Sequence, residues 1–137
     1  MKAHLSRRYH FSASHRLHSE SYTAEQNRAV FGKCNNPHGH GHNYIAQVTV
    51  SGPVDPATGM VCNLVDLDDF ARKNLLARFD HTNLNTLAIF QDTVPSTENL
   101  AIEIYKIFQG FTAAHLENVH VEETTNNSFD YAGGLDR

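Results

Sequence analysis

Two stretches of this chain alternate strictly between apolar and polar residues, and that alternation demands a sheet with one covered face. In the first, Tyr9, Phe11, Ala13, His15 and Leu17 share one parity, while Arg8, His10, Ser12, Ser14 and Arg16 take the other. In the second, His40 and His42 share parity with Tyr44, Ala46, Val48 and Val50. Side chains alternate across a strand with period two, so the apolar parity of each run faces a core. The unusual members are the imidazoles: His15, His40 and His42 extend the apolar faces. Three imidazoles converging there can hold a metal and leave one coordination position open. That is a catalytic zinc arrangement, because a closed structural site normally supplies four protein ligands, usually with cysteines.

The rest of the chain reads as an α+β domain. Strands are expected over Leu5 to Leu17, His40 to Ser51, Met60 to Val65 and Asn118 to about Thr124, the last with a possible extension over Phe129 to Tyr131. The second and third are joined by the turn-rich Gly-Pro-Val-Asp-Pro-Ala-Thr-Gly as a hairpin with a long loop. A short helix is signalled by Thr23 as N-cap, Gln26 three residues on, and Gly32 as terminator. A second is capped by Asp66 and carries the stripe Leu67, Phe70, Ala71, Leu75 and Phe79. A third, capped by Ser96 with Glu98 in its first turn, buries Leu100, Ala101, Ile104, Ile107, Phe108 and Phe111. The order predicts an antiparallel four-stranded sheet with helices packed on one face. Its two exposed edges need protection, and edge pairing between subunits is a natural route to an oligomer.

Residues 1–137 are expected to form a single domain, and 137 residues suffice for a core without disulfides. A net charge of −4 excludes a broad nucleic-acid surface while leaving room for a local basic pocket. Cys34 and Cys62 make no disulfide framework, so reduced thiols in a cytoplasmic setting are expected. The basic start is followed by no apolar stretch of signal-peptide length, and no run approaches a membrane span.

Ten histidines make chance clustering a concern. His4, His10, His18, His115 and His120 are most simply surface or partly buried residues, and His38, in His-Gly-His-Gly-His, is a weaker fourth ligand candidate. Nothing matches His-Glu-x-x-His, so peptide hydrolysis has no support. Cys34 adjoins Lys33, and a neighbouring cation favours the thiolate form of a cysteine; Cys62 reads as an inert small residue. Asp80-His81 is either a carboxylate that orients a proton-transferring imidazole or a helix-terminal salt link. On the last strand Val119, Val121 and Glu123 share a parity, so Glu123 faces the covered side while Glu122 looks outward. A covered carboxylate needs hydrogen-bond donors. A planar ligand with paired N–H groups, such as an aminopyrimidinone, would supply them, as would an internal arginine.

With these residues assembled, the sequence resembles the 6-pyruvoyl-tetrahydropterin synthase family. The matching segments are Phe-Ser-Ala-Ser-His-Arg-Leu at 11–17, Phe-Gly-Lys-Cys-Asn-Asn-Pro-His-Gly-His-Gly-His-Asn-Tyr at 31–44 and Asp-Pro-Ala-Thr-Gly-Met-Val at 55–61. Asp-His-Thr-Asn-Leu at 80–84, Ser-Thr-Glu-Asn at 96–99 and Glu-Thr-Thr-Asn-Asn at 123–127 complete them, while residues 132–137 depart from the family pattern. The resemblance implies a tunnelling fold, with sheets joined edge to edge into a barrel and a homohexamer of two stacked trimers. It implies zinc on His15, His40 and His42, and Cys34 as the catalytic cysteine. Asp80 and His81 would be its partners from a neighbouring subunit, and Glu123 the pterin anchor; Thr97 and Glu98 match a pocket segment. The implied substrate is 7,8-dihydroneopterin triphosphate, with Lys33 or Arg16 as candidates to face its triphosphate.

Related branches of the family set the alternatives. One makes 6-carboxytetrahydropterin for queuosine-type deazapurines with the same substrate and groups, and its members usually have a shorter spacing than Cys34 to His40. Another replaces the cysteine with glutamate, and Cys34 argues against it. A non-catalytic histidine-rich zinc-binding module would explain the histidines but not Cys34, Asp80-His81 and an inward Glu123 together.

Overall fold

In a computed structural model describing residues 1–134, β1 (Lys2–His15) and β2 (His40–Pro53) form a long antiparallel hairpin, with Lys2 opposite Pro53 and His15 opposite His40. β2 also pairs with β4 (His115–Glu122), which pairs with β5 (Ser128–Tyr131), both antiparallel. A two-residue strand β3 (Thr82–Asn83) lies parallel to β1 at Ala13 and Ser14. The sheet is therefore five-stranded, in the order β3-β1-β2-β4-β5. The expected extension at residues 129–131 is a separate strand. Residues 135–137, at the end of the divergent C-terminal segment, lie outside the described residues.

Period-two burial holds along both long strands. Tyr9, Phe11 and Ala13 on β1 and Tyr44, Ala46, Val48 and Val50 on β2 are buried in one apolar cluster with Leu116, Val119 and Val121 of β4. The helices that cover this face are α2 (Leu64–Ala71), continued by a π turn (Arg72–Leu76) into α3 (Ala77–Phe79), and α4 (Thr97–Phe108). Leu67, Ala71, Leu75 and Phe79 are each 0% exposed. A spacing of four advances roughly 40° per step around a regular helix, so this stripe would drift off the core face. The wider π turn offsets the drift and keeps Leu75 and Phe79 on the sheet.

The strand expected over Met60–Val65 does not form. β2 already has a neighbour on each edge, β1 and β4, so no hairpin partner can join it there. Asn63 instead caps α2, its side chain accepting from the Val65 N–H at 2.9 Å, which places Asp66 inside the first turn rather than at the cap.

The β1–β2 excursion is tied down by its own polar groups. α1 (Ala24–Phe31) opens on a reciprocal Thr23–Gln26 capping box and ends at Gly32, whose φ of 56° is a left-handed conformation. The buried Asn27 side chain bonds the backbone of Ser19 in both directions. No helix of the described residues is long and apolar enough to cross a membrane.

Candidate metal centre and its groove

Cross-strand register builds the histidine set. His15 lies directly opposite His40, and His42 opposite Ala13, so the three rings occupy adjacent positions on one face at the end of the hairpin. Their ring centroids stand 4.6, 4.8 and 5.1 Å apart. One nitrogen from each lies within 4.8 Å of the others, the only such group of three or more among the described residues. His15 is 1% exposed, and its Nδ1–H donates to the Pro95 carbonyl at 2.8 Å. That bond fixes the tautomer and leaves Nε2 as a lone pair, 3.0 Å from Nε2 of His40. Among the described residues His42 Nε2 is buried without any hydrogen-bond partner. Burial pushes the His15 and His42 imidazoles below their ordinary range, toward the neutral form that metals bind.

The orphaned His42 nitrogen is costly in a protein alone. A divalent cation would satisfy it together with the inward lone pair of His15, so the donor set fits a metal. The exposed His38 stands outside the cluster.

Glu123 lies beyond the last paired residue of β4, yet its carboxylate turns inward as parity predicts. It approaches His15 Nε2 and His42 Nε2 at 3.9 Å each and accepts from Asn127 Nδ2 at 3.2 Å and from the buried Thr97 hydroxyl. Burial alone would raise this carboxyl. The Thr97 and Asn127 donors and the flanking imidazoles outweigh it and hold the group below its usual range. Glu122 faces outward, 3.2 Å from Arg8. Ser96 caps α4 through the Asn99 N–H at 3.2 Å, which sets Thr97 at the first helical position, while Glu98 is exposed.

Cys34 sits in a short 3₁₀ turn, Gly32–Asn35, clamped to the end of β1. The Leu17 N–H donates to the Cys34 carbonyl at 2.8 Å, and Asn35 Nδ2 donates to the Leu17 carbonyl at 2.7 Å. The thiol-bearing residue shares a groove of about 620 Å³ with His40 and His42.

Asp80 and His81 form the expected couple, Asp80 Oδ1 standing 2.9 Å from His81 Nδ1 and accepting the Ser12 N–H at 2.9 Å. The Ser12 donor, then the His81 contact, holds the Asp80 carboxyl below its usual range. His81 has a φ of 59°, and its side chain is 81% exposed beside Ser12, Ser14 and Asn43, the polar parity of the hairpin. Among the described residues no hydrogen bond or ion pair joins this couple to Cys34 or to the three histidines. Sequence reasoning missed two contributors to the centre. Asn127 is a polar residue in a loop, and Pro95 acts through a backbone carbonyl that carries no side-chain signal.

Residues 4–134 match the sequence model of the 6-pyruvoyl tetrahydropterin synthase family. The chain belongs to that family. It is 48% identical over 134 residues to the human 6-pyruvoyl tetrahydrobiopterin synthase, covering 96% of this chain and 92% of the relative. The solved 6-pyruvoyl tetrahydropterin synthase of Caenorhabditis elegans superposes with a TM-score of 0.93 at 39% identity, covering 98% of this chain and 97% of that one. This is the tunnelling fold of the 6-pyruvoyl tetrahydropterin synthases. A putative 6-carboxy-5,6,7,8-tetrahydropterin synthase of Archaeoglobus fulgidus matches less of the chain, 34% identical over 87 residues, or 64% of this chain and 69% of the relative.

Proposed function

We propose that this chain is a zinc-dependent carbon–oxygen lyase of tetrahydrobiopterin biosynthesis. It converts 7,8-dihydroneopterin triphosphate to 6-pyruvoyl-tetrahydropterin with loss of triphosphate. The observation that carries this reading is the convergence of three imidazoles on one point, with Cys34 in the adjoining groove and an inward carboxylate beside them. Zinc held by His15, His40 and His42 would supply Lewis-acid polarisation of a substrate side-chain oxygen.

The chain's own groups do the rest. Glu123, held ionised by Thr97 and Asn127, accepts hydrogen bonds from the N–H donors of the pterin ring and fixes its orientation. Cys34 takes a proton from the acidified side-chain carbon, and His81, oriented by Asp80, exchanges protons with the side chain and ring. The ring gains the electrons that the side chain loses, so no external reductant enters. Asp80-His81, exposed on one chain, reaches the pocket of a neighbouring subunit in a cytoplasmic homohexamer whose sheets join into a barrel. Glu98 lines the same pocket.

Incubation of zinc-loaded protein with 7,8-dihydroneopterin triphosphate, read by mass spectrometry, tests the reading. A pyruvoyl product supports it, a carboxy product moves the chain to the other branch, and no product favours a zinc-binding module. Cys34→Ala is expected to keep zinc and lose turnover by about 10²–10⁴-fold; full turnover in that variant refutes the role of the thiol.

A further inference from the structure

The groove that holds Cys34, His40 and His42 has a second chemical character. Its wall also carries Arg28 and Lys33, and among the described residues no carboxylate lines it. Neither cation forms an ion pair among the described residues, whereas Arg7, Arg8, Arg72 and Lys106 are each matched to a carboxylate. Local geometry brings them together. Arg28 lies in the last turn of α1, and its carbonyl accepts the N–H of Gly32. The positive φ of Gly32 then turns the chain into the 3₁₀ segment, so Lys33 emerges on the same wall. Two unmatched cations beside a groove are a local positive field on a chain whose net charge is −4.

We propose that Arg28 and Lys33 bind the triphosphate of the substrate and set the direction in which it lies; this rests on the pterin-triphosphate activity proposed above. The substrate has N–H donors at one end and a polyanion at the other. The site is polarised to match. Glu123 stands 3.9 Å from His42 on one side, and His42 lines the cationic groove on the other. A carboxylate repels the triphosphate and attracts the ring donors, while the guanidinium and ammonium do the reverse. The reacting side chain is thereby laid across the imidazoles. Arg16, the other basic residue near the site, serves differently. Its Nε donates to the Asn35 carbonyl at 3.2 Å, and its cavity also presents Glu20 and Asp92, which repel a polyanion. Arg16 therefore supports the Cys34 turn.

The test is equilibrium binding to zinc-loaded Cys34→Ala protein, which removes turnover and any effect of Lys33 on the thiol. Pterin fluorescence reads the affinity for 7,8-dihydroneopterin triphosphate and for unphosphorylated 7,8-dihydroneopterin. In this background Arg28→Ala and Lys33→Ala are each expected to weaken the triphosphate about tenfold, the low end for charge-assisted contacts at an exposed wall. The double variant should bind both ligands alike, with dihydroneopterin unchanged, and Arg28→Lys should restore most of the loss. An unchanged triphosphate affinity, or an equal loss for both ligands, overturns the proposal. The parent chain with Cys34 restored is assayed in parallel. If it releases no triphosphate, the functional reading fails and takes this with it. If it turns over normally while the double variant binds triphosphate as before, only the present assignment falls.

Discussion

Replacing Thr97 by valine isolates the bond that positions the inward carboxylate. Thr97 is 2% exposed at the first position of α4, and its hydroxyl donates to Glu123 Oε2. Valine keeps the branched shape and volume, so the buried face of α4 is little disturbed. A hydrogen bond to a charged acceptor contributes about 1.5–3 kcal/mol. The Glu123 side chain is 18% exposed, so water replaces part of it and the low end applies. A chain of this length has an unfolding entropy of about 0.3 kcal/mol per kelvin, so a loss of about 1.5 kcal/mol lowers Tm by about 5 °C. Denaturation of chelator-treated protein at neutral pH reads the loss directly, and a double-mutant cycle with Glu123→Met assigns it. With the acceptor gone, Thr97→Val should cost much less, since only the neighbouring Tyr44 hydroxyl remains to the Thr97 side chain. Equal costs in the two backgrounds would refute the bond as the origin of the effect.

Four further outcomes follow from the same structure. Zinc at a hundredfold excess over its Kd should stabilise the metal-free protein by about 2.7 kcal/mol, or about 9 °C in Tm, and His42→Ala should abolish the response in a thermal scan. Tyr9→Phe removes a 2.8 Å bond to Asp68 and should cost about 1 kcal/mol in urea unfolding. Arg7 holds the Asp68 carboxyl below its ordinary 3.8, so that contribution is complete above this value and is lost as pH falls through the lower folded value; wild-type and Asp68→Asn stability curves should converge on acidification there. Gly39→Ala places a Cβ 3.1 Å from the His15 carbonyl at a φ of 72° and should destabilise by about 1–2 kcal/mol, with weaker zinc binding in the same titration.

What could be read before folding was whatever a short-range period or a cap encodes. The parity of the two long strands puts three histidines on the covered side, that of the last strand does the same for Glu123, and Thr23 and Ser96 mark their helices, because these signals depend only on residues a few positions apart. Residues 60–65 depart from their strand pattern for a long-range reason: strand propensity cannot show that both edges of β2 are occupied by other segments. Asn63, inside that run, carried the cap signal that decides the outcome. β3 was invisible because two residues leave no pattern, and Pro95 because a carbonyl has no residue type. The Asp80-His81 couple was legible as a pair, but its exposed position on the polar side of the hairpin depends on where α3 ends.

The metal centre and the hairpin register are the same structural fact. His15 and His40 are a directly opposed pair, and His42 is the next residue on that face. A slip of one residue would turn every side chain of β2 over, exposing Tyr44, Ala46, Val48 and Val50 and separating the histidines at the same stroke. The long apolar pairing therefore guards the geometry of the polar site, and burial of the core resists a register slip that would separate its ligands. Gly39 lets the returning chain pass within contact of the His15 carbonyl, and the Leu17–Cys34 bond fixes the thiol two residues beyond His15. Backbone shifts at the end of the hairpin therefore reach the ligands directly, which is why a substitution at Gly39, next to His40 and against the His15 carbonyl, should be read out in zinc affinity.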